Sequence, residues 1–81
     1  MPEHVNPEAA VELVREVISW YAQQVIRERR AASPDAKRLE AMKAQLVECA
    51  ADERALQVAS EEEVAEIAAR YAALSRELKG G

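Results

Sequence analysis

Arg27-Glu28-Arg29-Arg30-Ala31-Ala32-Ser33-Pro34-Asp35 decides the fold of this chain. Its cations suit the C-terminal end of a helix, where the backbone dipole is negative. Ser33-Pro34-Asp35 then joins capping residues to a proline that opens a new helix. So few residues between two helices predict a tight antiparallel reversal. Upstream, Asn6 is placed to cap, Pro7 suits the first helical position and Glu8 lies in the first turn. Val11, Val14, Ile18, Tyr21 and Val25 then recur at alternating steps of three and four, the seam spacing of coiled coils. Leu13, Val17 and Trp20 form a second, adjoining stripe. Together the stripes span about 200° of the helix, twice the arc of an ordinary surface helix, so this helix is expected to touch two neighbours.

Downstream of the turn, Leu39, Met42, Leu46, Cys49 and Leu56 share one face, with Glu53 where an apolar residue belongs. Ser60-Glu61-Glu62-Glu63 spells a capping box, and Val64, Ile67, Tyr71, Leu74 and Leu78 follow at helical spacing. Between them, Leu56-Gln57-Val58-Ala59 holds neither glycine nor proline, so one continuous helix is the competing reading. The apolar seam nevertheless changes phase at the capping box, which favours a break. The expected architecture is all-α: one domain over residues 1–81, an antiparallel three-helix bundle of a long helical hairpin plus a third helix. The helices are expected at about 7–32, 34–58 and 61–79, with self-association completing the bundle.

The reason for expecting self-association is a thin core. Of 81 residues 49% are apolar, but 17 of those are Ala, leaving 23 larger apolar side chains. A chain this short buries only about 60% of its unfolded-state surface, so a partner is expected to cover part of the apolar face. The partner-binding candidates on that face are Leu13, Val17, Trp20 and Tyr21. Trp and Tyr are enriched in interface cores, and Trp20 and Tyr21 point about 100° apart on the helix.

Charge is unevenly spread. The net value is −4, but residues 27–43 sum to +3 while residues 1–26 and 44–81 sum to −3 and −4. Arg27, Arg29, Arg30, Lys37 and Arg38, with Lys43, therefore form a basic tip on an acidic body. The tip is a second partner-binding candidate for an acidic protein or a phosphate backbone, although helix-end cations also answer the dipole. The acidic total weighs against a general nucleic-acid binder, and no aromatic interleaves the cluster to stack on bases.

One cysteine, Cys49, excludes an internal disulfide, and it sits among Leu and Met without a histidine to activate it. The only histidine, His4, lies in the N-terminal arm, so neither a metal site nor a cofactor is expected. Glu61-Glu62-Glu63 is accounted for by capping, and Gly80-Gly81 by the end of a helix. The first residues lack the basic and apolar regions of a signal peptide, and no apolar run approaches the roughly 18 residues of a bilayer span. A cytoplasmic setting with no membrane partner is expected.

Ile26-Arg27-Glu28-Arg29-Arg30 looks like the Glu-Arg-Arg of the first helix in helical chorismate mutases. Five residues carry that resemblance. The family's Asp positions are missing, and Pro34 ends this helix before the point to which theirs extends. The helical-hairpin secretion substrates carry Trp-x-Gly at the turn, where this chain has Ala32-Ser33-Pro34-Asp35. The expectation is therefore a small helical protein–protein interaction module, a regulator or adaptor that binds itself or another protein through the first helix. The alternatives are a nucleic-acid-associated or antitoxin-like regulator using the basic tip, and a mutase-type enzyme.

Overall fold

The computed structural model describes residues 6–80, and all its regular structure is helical: α1 (Pro7–Arg30), α2 (Ala36–Ala55) and α3 (Glu61–Gly80). His4, the N-terminal arm around it and Gly81 lie outside the described residues.

Local chemistry sets the helix ends. The Asn6 side chain accepts from the Glu8 amide at 2.9 Å, with Pro7 next to it, as the Asn-Pro-Glu pattern requires. α1 stops at Arg30 rather than near residue 32, because Ala31 turns to extended backbone (φ −64°, ψ 151°). α2 starts later than the proline suggested. Its cap is Asp35, whose Oδ1 accepts from the Lys37 and Arg38 amides at 3.0 and 3.2 Å, which leaves Pro34 outside the helix. A carboxylate that satisfies two orphan amides outweighs a proline whose one contribution is a fixed φ.

Glu28 pins this turn. It accepts from the Asp35 amide at 3.0 Å and pairs with Arg38 at 3.5 Å, its side chain only 16% exposed. In the first half of α1, Arg15 pairs with Glu53 at 3.2 Å. That places Glu53, the charge in the α2 seam, against α1 instead of against the neighbouring Arg54.

The break between α2 and α3 is present and uses no glycine. Gln57 and Val58 donate to Arg54 and Ala55 carbonyls at 3.1 and 3.2 Å, a tightened last turn, and Leu56 is buried beneath it. Ser60 and Glu63 then close a reciprocal box at 2.9 and 3.2 Å.

α1 packs against both other helices, which answers its two apolar stripes. The core gathers Val14 and Val17 of α1, Cys49 of α2, and Val64, Ile67 and Tyr71 of α3, with Leu56 from the connection. Each such side chain contributes about 1.5–3 kcal/mol by leaving water. Tyr71 also carries a polar tie: its hydroxyl donates to Asp52 Oδ2 at 2.6 Å, and Arg70 lies 3.6 Å from the same carboxylate. Val25 and Met42 are buried outside this cluster, near the α1–α2 turn. The molecule is elongated, 50 × 26 × 16 Å, with a radius of gyration of 14.3 Å against about 12 Å for a compact chain of this length.

Candidate interaction surface

The apolar candidates on α1 divide between interior and flank. Val17 is 1% exposed, enclosed by its own chain and unavailable to a partner. Leu13 and Tyr21 are half-buried and pack against the core, and burial pushes the Tyr21 hydroxyl pKa up. Trp20 is half-buried at the edge of α3, its ring meeting Tyr21 edge-on with centroids 5.2 Å apart at 90°. This is the favourable quadrupole arrangement of two aromatics and holds the indole in place.

Trp20 lines an open cleft with Glu16, Gln23, Ser75, Leu78 and Lys79. A second, shallower groove runs on from it past Ser19, Glu16, Leu13 and Glu12 to Ala9. A continuous furrow therefore follows the outer face of α1 from Ala9 to Gln23. Lys79 crosses it to pair with Glu16, which holds the Glu16 carboxyl below its ordinary pKa.

The basic candidates gather near the α1–α2 turn. Arg27, Arg29, Arg30, Lys37, Arg38 and Lys43 are all exposed. Arg38 is held by Glu28, while the other five have no ion-pair partner among the described residues. α3 side chains Ser75, Leu78 and Lys79 line the cleft beside Trp20 and Gln23. At the opposite end of the chain's long axis, Glu8 and Glu12 begin α1, and Leu56, Gln57 and Ala59 lie beside them, so the Glu61-Glu62-Glu63 turn follows close by.

The remaining reactive groups are enclosed. Cys49 is 1% exposed, and burial raises its thiol pKa, which leaves it a small core residue. The Tyr71 hydroxyl is pushed above its ordinary range by burial and by its bond to Asp52, so it donates and does not serve as a base. Among the described residues no three His, Cys, Asp or Glu side chains are placed to hold a metal, and no helix is long and apolar enough to cross a membrane.

Sequence reasoning missed three exposed apolar side chains, Ile26, Val47 and Val58, at 48%, 68% and 89% exposure. They lie off the seams, so periodicity gave no reason to separate them from scattered surface residues. It also missed Asp52 as the partner of Tyr71, for which an Asp on the α2 face three residues after Cys49 was the available signal. Comparison with protein-family models, curated proteins and solved structures finds no match to this chain.

Proposed function

We propose that this protein is a small helical interaction module, a regulator or adaptor, whose antiparallel three-helix bundle is completed by self-association along the α1 flank. The reversal of α2 on α1 is supported by Glu28 meeting Arg38 beside the turn while Arg15 meets Glu53 far from it. The observation that carries the functional reading is Trp20, the one tryptophan, held half-buried at the edge of an open furrow.

If Trp20 is the anchor, Trp20→Ala weakens association by about 2 kcal/mol or more, some thirtyfold in Kd. Sedimentation or light scattering across micromolar to millimolar protein reads this directly. A wild-type chain that stays monomeric throughout, with tryptophan emission unchanged on dilution, removes the reading.

The five cations near the turn that have no ion-pair partner among the described residues favour a second reading, a nucleic-acid-associated regulator. Phosphate contacts there add about 0.9 each to the slope of log affinity against log salt, and reversing Arg29, Arg30 and Lys37 weakens all sequences alike. Sub-micromolar duplex binding at physiological salt puts this reading first, and its absence leaves the protein-binding one. We place the latter ahead because the segments flanking the cations sum to −7 on the same small body and repel a long polyanion. The mutase-type alternative requires several cations converging on a buried cavity, and no charged side chain is buried among the described residues.

A further inference from the structure

Along the outer face of α1, Glu12, Glu16, Trp20, Gln23, Arg27 and Arg30 recur at steps of four, four, three, four and three. The mean step is that of the α-helix itself, so the six lie in one straight line about 27 Å long. All are exposed except Trp20, which is half-buried. The first three lie along the furrow, and Gln23 closes its far end. The line is acidic at one end, aromatic and amide-bearing in the middle and basic at the other. Read backwards, it is its own complement.

We infer that this stripe is an isologous interface, and that its occupant is the same stripe of a second copy running antiparallel. The inference rests on the self-association proposed above and specifies its register. With the two-fold axis between Tyr21 and Ala22, Glu16 faces Arg27 of the mate, Trp20 faces Gln23, and Glu12 falls within one residue of Arg30. Each indole then lies in the mate's cleft beside Leu78, and both charged poles are satisfied twice by symmetry.

Charge complementarity argues for a second copy over another occupant. Arg27 and Arg30 have no ion-pair partner among the described residues, nor has Glu12. Glu16 is held by Lys79, so in the pair its carboxylate is shared between Lys79 and the mate's Arg27. A parallel pair would set acid on acid and base on base, which the same charges oppose.

The test is a charge swap in the full chain. Arg27→Glu with Arg30→Glu makes the stripe acidic throughout, and Glu12→Lys with Glu16→Lys makes it basic throughout. Each double variant alone is expected to self-associate at least about tenfold more weakly than wild type, because every charged cross-stripe pair becomes repulsive. Mixed one to one, the two are expected to form a heterodimer within a few-fold of wild-type affinity, since each pole again meets its opposite.

Circular dichroism monitors folding. Because Glu16→Lys also removes the Lys79 tie, Glu12→Lys alone serves as the milder basic variant, with a smaller loss that mixing likewise recovers. On the unmodified chain, association is expected to weaken as salt rises. If both double variants associate like wild type, or if mixing restores nothing, this register is overturned while self-association through Trp20 stands. If wild type never associates, even at millimolar protein and low salt, both fall together.

Discussion

Replacing Tyr71 with alanine is expected to leave the chain largely unfolded at 37 °C. Tyr71 is 4% exposed and lies in the cluster where all three helices meet, so its removal opens a cavity in that cluster. Losses of about 3–5 kcal/mol are usual for a buried aromatic cut to alanine. An 81-residue chain has a total stability of only about 4–12 kcal/mol. Tyr71→Phe separates ring from hydroxyl. It keeps the packing and removes the 2.6 Å bond to Asp52, at a cost of about 1–3 kcal/mol. The lower part of that range is expected, because Asp52 is 24% exposed and water and Arg70 replace the lost donor. Urea melts of the three proteins read both steps. An alanine variant within 1 kcal/mol of wild type, by these orders of magnitude, means the three helices do not meet at this ring.

Deleting Ser33 and Pro34 is expected to abolish the fold by a different route. The deletion joins Ala32 to Asp35 and leaves Arg30-Ala31-Ala32-Asp35-Ala36-Lys37 without a residue that stops a helix. α1 and α2 then run on as one helix of about 70 Å, and every core contact between them is lost. Glu28 also loses the Asp35 amide and Arg38 as partners, because in a continuous helix they move along the same rod. Small-angle scattering and thermal melts on the deletion variant read the outcome. An unchanged melting temperature and hydrodynamic radius mean that the turn forms without these residues. Pro34→Ala, which keeps the spacing and the Asp35 cap, is expected to cost under about 1 kcal/mol.

These two experiments probe features that differed in legibility. The capping box at Ser60, the Asn6-Pro7 start and the two stripes of α1 are encoded within a few residues and were open to reading. At the start of α2 a proline and an aspartate compete, and only the hydrogen bonds to Lys37 and Arg38 show that the carboxylate prevails. The end of α2 lacks a local stop signal because burial of Leu56 fixes it, and burial belongs to the assembled fold. The pairings of Arg15 with Glu53 and Tyr71 with Asp52 join residues 38 and 19 positions apart, beyond any local pattern. At the candidate surface, the stripe of Leu13, Val17 and Trp20 is visible in the sequence as apolar spacing. Its division into an enclosed Val17 and an edge-lying Trp20 depends on where α3 stops, which no spacing within α1 encodes.

The placement of Val25 and Met42 outside the main cluster divides the molecule energetically. Where three helices meet, an amide exchanges its hydrogen only through near-global opening. Near the α1–α2 turn, two helices share a few apolar contacts and one glutamate latch, so excursions of lower free energy expose the backbone there. The exposed cations thus ride on a segment expected to open more readily than the three-helix cluster. A binder that grips them must quench those excursions, so part of its affinity is offset by lost conformational entropy, and that entropic debt shrinks as the segment is rigidified.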